Sequence, residues 1–415
     1  MRRPWSAALE ADLIPSKKPA QPQFYIPSVI LPAKATKSNS GHKIHILGHD
    51  ERSKFIAHAL SSVYDSVELL GAKKTSAKYL NFTRRSLYRE STLPTPIKAG
   101  RGNLDDNKAS HIDRAIVTGH GRDAVKAIEA IKDRVDENTT ICLMNDGLGV
   151  LEHVRRKIFQ GTEVSPNFML GYMSHKLVFN RNTNSVRQLM PGATYVTPVE
   201  LFRTQNGMQH RTEQRSDFVQ SLLDVKDLRT NSSTFDDWLR FKLPSVIFES
   251  VVEPVCTVLD LTYEGILGNP AARSMMHRLI QEIVEVVDNL PELEGLSTTR
   301  HYIRSHRFTQ ILFRQLNAKK SNPSRMAQGI GRGANTDIEY MNGYFIRRAR
   351  QLGMTLKMNS LVKDIISAKQ FTERARRNSD VPIEETSIPS EESSRYSTAA
   401  RVHRGMGVLT TKVHN

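Results

Sequence analysis

Cysteine is nearly missing from this chain: Cys142 and Cys256 are the only two in 415 residues, and both lie in apolar stretches. That excludes a disulfide framework and a thiolate metal site, so no metal is expected and both residues read as buried thiols in a reducing compartment. No apolar run reaches about eighteen residues, the length that a membrane-spanning helix needs. Acid is missing from one long segment. Between Gly295 and Thr336 there is no Asp or Glu, while Arg300, Arg304, Arg307, Arg314, Lys319, Lys320, Arg325 and Arg332 are basic. Tyr302, Phe308 and Phe313 are interleaved with them. On one helix Arg300, Arg304 and Arg307 would share a side and form a stripe able to follow a phosphate backbone, with Arg314, Lys319 and Lys320 as further candidate nucleic-acid contacts. The plainer alternative is a solvated basic face.

What is present points the same way. A net charge of +16 and a pI near 9.8 imply an anionic partner or surrounding, such as RNA, a ribosome or lipid headgroups, and are also usual in the mitochondrial matrix. Apolar and charged contents of 39% and 25% suit a globular protein with some disordered sequence. Residues 1–42 carry Arg2, Arg3, Lys17, Lys18, Lys34 and Lys37 against Glu10 and Asp12, with scattered prolines, and are expected to be a disordered or targeting leader. Such a leader implies the mitochondrial matrix, with the cytoplasm as the alternative. Peripheral contact with a membrane is compatible with this charge.

The folded chain is expected to divide into a Rossmann-like domain over residues 43–230 and a helical domain over 231–370, followed by a disordered tail over 371–415. Ile44–Gly48 reads as a strand, Lys54–Ser62 as a helix and Ser66–Leu70 as a second strand, which is the opening of a nucleotide-binding βαβ unit. The turn between them should carry Gly-x-Gly-x-x-Gly, but it reads Gly48-His49-Asp50-Glu51-Arg52-Ser53. Only the first glycine is there, and Asp50 and Glu51 would set negative charge beside a dinucleotide's phosphates. No working dinucleotide site is therefore expected. Strands follow at Ala115–Thr118 and Thr139–Met144 around a helix at Ala124–Val135, and the second strand ends in the turn Asn145–Gly149. Open α/β sheets place their ligands at such strand ends. Phe168–Gly171 and Lys176–Asn180 read as further strands, and helices are expected from Thr197 and from Ser216.

From Thr234 the pattern is helical, with Pro244 and Pro254 as punctuation, and amphipathic helices are read at Ala271–Leu290, Tyr302–Leu316 and Ser360–Ala368. The stretch Thr336–Tyr344 reads as a capped helix start, with Thr336 as N-cap and Glu339 completing a capping box. It follows a glycine-rich loop at Gly329–Gly333, a place where backbone N–H groups could hold an anion.

Two of these stretches carry a resemblance. Leu143-Met144-Asn145-Asp146-Gly147-Leu148-Gly149-Val150 and Thr336–Tyr344, together with the opening βαβ unit and a helix ending at Pro254, resemble the ketopantoate reductases over about Lys43–Ala368. The resemblance implies a Rossmann domain joined to a helical domain of the 6-phosphogluconate-dehydrogenase type, with the active site between them. It implies NADPH as hydride donor to a 2-keto acid, a lysine that protonates the alkoxide, and asparagines and a glutamate that position substrate. Counting back from Pro254, the family's lysine falls at Ser245 and its asparagines at Glu249 and Glu253. Its Gln-Asn-Gly cofactor turn becomes Asn145-Asp146-Gly147, its lysine after the third strand falls near Gly119, its aspartate at Gly329, and its glutamate becomes Asp337.

The expectation is thus a reductase fold without reductase chemistry, acting in mitochondrial gene expression by binding RNA or the ribosome. In overall character it resembles the fungal mitochondrial translational activators of cytochrome b. Two alternatives stand beside it. One is an NADPH-dependent 2-keto acid reductase using Lys242 and Asp337, with weak cofactor contacts from Gly48, Asn145 and Gly147; Pro244 is expected to bend the helix between Lys242 and Ser245, and Glu249 and Glu253 to repel a keto acid. The other is a structural subunit of a larger assembly.

Overall fold

Alternation of short β-branched strands with amphipathic helices gives an N-terminal parallel sheet here. The structure, a computed structural model, describes residues 43–70, 79–85, 90–96, 98–99, 111–161, 165–180, 185–199, 217–294, 297–320 and 322–379. The leader and most of the tail lie outside the described residues. The first unit is β1 (Lys43–Leu47), α1 (Glu51–Leu60) and β2 (Ser66–Leu70), followed by β3 (Tyr79–Arg85), β4 (Glu90–Pro96) and β5 (Lys98–Ala99). Then come β6 (Arg114–Gly119), α2 (Gly121–Ile131), β7 (Thr140–Asn145), α3 (Val150–Lys157), β8 (Asn167–Met173), β9 (Lys176–Asn180), β10 (Ser185–Met190), β11 (Thr194–Pro198), a short helix α4 over 217–223 and β12 (Thr230–Ser232).

The main sheet has eight strands in the order β12-β11-β8-β7-β6-β1-β2-β5. It is parallel from β8 to β5, with β11 antiparallel to β8. The register Ile46↔Ile116 and Thr118↔Met144 brings the ends of β1, β6 and β7 to one edge of the sheet. Strand β7 is buried along its whole length, as expected of a parallel strand covered on both faces. A second sheet, β4-β3-β10-β9, was not anticipated, and neither were β10 and β11. Thr197, taken as a helix start, lies in β11 instead: Tyr195, Val196 and Thr197 pair with Tyr172, Gly171 and Leu170, and those cross-strand partners cannot be read locally.

The second half is helical: α5 (Phe235–Leu259), α6 (Tyr263–Gly268), α7 (Pro270–Asp288), α8 (Ser297–Arg304), α9 (His306–Ala318), α10 (Arg325–Gly331), α11 (Asn342–Gln351) and α12 (Lys357–Ser379). Helix α5 runs 25 residues from its Thr234 cap straight through Pro244 and Pro254. The prolines do not end the helix because α5 is enclosed by other helices, and burial of side chains such as Leu243, Ile247, Val251 and Val255 contributes roughly 1.5–3 kcal/mol each, against about 3 kcal/mol for an interior proline. Cys142 and Cys256 are both buried free thiols, pushed up to about 12 by burial.

Four further readings change. Helix α1 begins at Glu51, a turn earlier than expected, because Asp50 caps it. Gly329 and Gly331 belong to α10 rather than to a loop. Thr336 caps no helix: its N–H and hydroxyl both bind Gln370, a 3-10 turn occupies Ile338–Tyr340, and α11 starts only at Asn342. Helix α12 continues past Ala368 to Ser379.

Candidate functional site

The β1 to α1 turn is where the sheet would offer backbone N–H groups to a ligand. Gly48 sits at φ +148°, and a Cβ there would run into the Thr118 hydroxyl. After it the chain closes on itself. Asp50 accepts from Ser53 N at 2.9 Å, from Thr118 Oγ1 at 2.7 Å and from Arg52 Nε at 2.8 Å. Arg52 then reaches across the strand ends and donates both terminal nitrogens to Asp146, at 2.7 and 2.8 Å. Burial raises the carboxyls of Asp50 and Asp146, but Arg52, joined at Asp50 by the Thr118 and Ser53 donors and at Asp146 by His120 and Lys242, holds both below the usual range. The same two acids raise the arginine against the effect of its own burial.

A dinucleotide's pyrophosphate would need this place. The Ser53 N–H at the start of α1 is taken by the helix's own carboxylate, and the one arginine present is spent on two acids. A bidentate arginine pair in a partly buried site is among the stronger polar contacts, so a phosphate would have to displace carboxylates already in position. The residues do not fit the group. Occupation adds to the expected obstacle: Arg52 faces two carboxylates, so the triad keeps one net negative charge and a phosphate meets both a filled turn and repulsion.

The other wall comes from α5, where Lys242, Ser245 and Glu249 follow one another along the face toward a cleft of about 1200 Å³. Lys242 is 3% exposed, donates to the Asn145 carbonyl at 2.9 Å and lies over the Trp238 ring at 5.1 Å. Burial lowers its amine to about 8, against the pull of Asp146. Glu249 is raised to about 7 by burial and by Asp146, although Arg325 binds it at 2.7 Å. Glu253 turns away from the cleft. It receives the Tyr263 hydroxyl, Ser324 Oγ at 2.7 Å and Met326 N at 3.1 Å, and so ties α5 to α6 and to the start of α10. Only Glu249, therefore, can repel an anion from this wall.

Asp337 takes no place in the cleft. Its carboxylate accepts from Gly121 N at 2.7 Å and Arg122 N at 3.3 Å, and so caps α2, whose own N-cap His120 makes no side-chain capping bond and instead lies 3.9 Å from Asp337. Burial raises this carboxyl in spite of the two N–H donors and His120. Lys242 and Asp337 are thus committed to different partners and do not form a donor pair.

The turn after β7 and the stretch 337–344 are packed against each other. Leu148 N donates to the Tyr340 carbonyl at 2.8 Å, and Tyr340 Oη meets His153 Nδ1 at 2.8 Å. Gly147, at φ +73°, leaves no room for a Cβ beside that carbonyl, and at Gly149, at φ +82°, a Cβ would stand 2.7 Å from the Tyr344 ring. Asn342 is fully buried and donates to the Ser250 carbonyl at 2.7 Å and to Asn359 at 2.9 Å. These residues clamp the helical domain onto the strand ends.

Comparison with known proteins gives this clamp a family. Models described as ketopantoate reductase PanE/ApbA and its C-terminal part match residues 44–200 and 237–370. The chain belongs to the ketopantoate reductase family. It is 21% identical to the cytochrome B translational activator CBS2 of Saccharomyces cerevisiae, covering 65% of this chain and 76% of that protein. It is 22% identical to a 2-dehydropantoate 2-reductase of Shigella flexneri, covering 62% and 74%. The solved 2-dehydropantoate 2-reductase of Geobacter metallireducens matches the fold with a TM-score of 0.58 at 17% identity, over 79% of this chain and 99% of that one.

Placed on the ketopantoate reductase fold, the changed positions separate into kinds. Ser245 and Glu249 line the cleft where the resemblance puts a lysine and an asparagine, whereas Glu253 and Asp337 are internal struts. Gly119 and Asn145–Gly147 lie at the strand ends on the cleft floor, with Gly48 beside them. Sequence reasoning missed Arg52 as the central cation. The available signal was an arginine inside the glycine turn together with an aspartate in the cofactor turn, two departures of opposite charge.

The basic segment also departs from expectation. Ser305 caps α9 and breaks the chain, so Arg300 and Arg304 lie on α8 and Arg307 on α9. Arg300 donates to the Leu290 carbonyl at 3.3 Å, and Arg304 pairs with Asp288. Arg307, Arg314 and Lys320 are exposed. Lys319 is half-buried, 4.2 Å over the Phe248 ring, with its amine lowered by burial and by Arg325. The interleaved aromatics point inward: Phe308 is buried edge-on to Tyr302 at 5.6 Å, and Phe313 packs on His277 at 6.1 Å.

Proposed function

We propose that this protein is a ketopantoate reductase fold that has lost the reductase chemistry and acts in mitochondrial gene expression, binding RNA or the mitochondrial ribosome as a translational activator does. The observation that carries the reading is Arg52, which fills the phosphate position of the βα turn with an internal ion triad. Ser245 supports it by putting a group that does not protonate an alkoxide where the family lysine is expected. The net charge of +16 and the likeness to a protein named as a cytochrome B translational activator supply the rest.

The test is ligand binding by the full chain. NADPH at millimolar concentration should leave the melting temperature unchanged, because a ligand stabilises only through its affinity for the native state. Ketopantoate should not be turned over above background. A shift of several degrees with quenched nucleotide fluorescence would overturn the reading.

One observation favours a second reading, an NADPH-dependent 2-keto acid reductase of altered site: the Lys242 amine, lowered to about 8, lines the cleft. Turnover that disappears in Lys242→Ala would establish it. If neither NADPH nor RNA binds, a structural subunit of a larger assembly remains.

A further inference from the structure

We infer that the outer face of α9 and the adjoining mouth of the cleft form a track for single-stranded RNA. The inference rests on the RNA-binding reading above and assigns it a surface other than the α8 stripe that the sequence suggested. Helical spacing sets Arg307, Gln310, Arg314 and Asn317 along one side of α9, and all four are exposed. Phe308, Leu312 and Leu316 bury the opposite side. At a rise of about 1.5 Å per residue, Arg307 and Arg314 stand about 10 Å apart along the axis, and Lys320 follows just past the helix end at Ala318.

These three cations differ from their neighbours on α8 in being unspent. Arg304 holds Asp288 and Arg300 a carbonyl, whereas Arg307, Arg314 and Lys320 form no ion pair among the described residues. A phosphate that meets them displaces water and counterions only.

The ridge leads into the cleft. Gln315, Ala318 and Lys319 of α9 line its wall, with Asn322, Arg325 and Gln328 beyond them. Lys176 of β9 is close enough to depress the Lys319 amine, so positive charge borders the mouth on both sides. The Arg325 side chain is 66% exposed while it holds Glu249.

Two features select the occupant. No large hydrophobic residue is exposed among the described residues of 297–336, so the α9 ridge itself has nothing to insert into a bilayer, although Val178 and Met190 are exposed beside Lys176 across the mouth. The amides at the mouth can hydrogen-bond base edges, which an unpaired strand offers and a duplex has already paired. Because the aromatics face inward, phosphate contacts dominate and sequence preference on the ridge is low.

The experiment is anisotropy of a labelled oligouridine of about twenty nucleotides on the full chain over a salt series. The triple variant Arg307→Gln, Arg314→Gln, Lys320→Gln should flatten the logarithmic salt slope by about two units, at roughly 0.7 per phosphate contact. Arg304→Gln and, on α11, the exposed Arg350→Gln should leave the slope as it is. Absence of binding by the wild type overturns the track. Wild-type binding that the triple variant retains places the contact elsewhere and leaves the RNA reading intact. Equal or tighter binding of the corresponding duplex, or the same dependence on the three residues with phosphatidylserine vesicles, overturns the choice of occupant.

Discussion

The clamp and the α5 wall face the same cleft and have fared differently. In the clamp, Gly147, Gly149, Tyr340, Asn342 and Tyr344 match the family pattern, and each is held by packing: a positive φ, a ring against a glycine, or a buried amide whose nitrogen donates to two partners. On the wall, the resemblance puts a lysine and an asparagine at Ser245 and Glu249, and Glu249 pairs with the largely exposed Arg325. The difference teaches that the two most specific motifs of this sequence certify a fold and a domain arrangement. They carry no information about whether the chemistry survives.

That contrast can be broken most directly by Gly147→Val. A branched side chain at φ +73° against the Tyr340 carbonyl is expected to cost about 4 kcal/mol or more in urea unfolding, whereas Ser245→Ala should stay within about 0.5 kcal/mol. If Ser245→Ala were the costlier change, the division between packing and chemistry would be wrong.

A smaller effect separates the two glutamates. Glu253→Ala leaves the Tyr263 hydroxyl, Ser324 and the Met326 N–H without their acceptor and should cost about 3 kcal/mol. Glu249→Ala frees only Arg325, which is largely exposed, and should cost under about 1 kcal/mol. Equal losses would mean that the wall is as structural as the clamp.

The smallest effect is in pH. Glu249 is raised from 4.5 to about 7, so through that window the native state keeps a proton that the unfolded chain has lost, and stability falls as pH rises. Lys242 is lowered from 10.5 to about 8, so between those values the unfolded chain keeps the extra proton, and stability climbs again. Each limb has an upper bound of about 3 kcal/mol and, discounted for water reaching the cleft, should amount to about 2 kcal/mol, and Glu249→Gln and Lys242→Met should each remove one of them. A limb that persists in its variant assigns it to another group.

Much of this was open to a reader of the residues. Alternating strands and helices gave the Rossmann-like half, and spacing gave the helical half. The loss of the family lysine could be counted back from Pro254, and the basic segment was visible as an acid-free run. The rest needed partners distant in sequence. Arg52 and Asp146 are 94 residues apart, Asp337 and Gly121 are 216 apart, and Arg304 finds Asp288 only because α8 folds back toward the end of α7. The helix expected over Tyr302–Leu316 divides at Ser305 for a local reason: a serine inside an amphipathic pattern can be a surface residue or a cap, and periodicity does not distinguish them.

By itself, then, the sequence determined which faces are apolar, where acids are missing and which chemical groups the family positions now carry, because these depend on residue type and spacing. Tertiary structure decided which charges are spent. An arginine is a phosphate contact, a strut or a plug according to the carboxylate that folding sets beside it. Arg307, Arg304 and Arg52 are chemically identical and differ here for that reason alone.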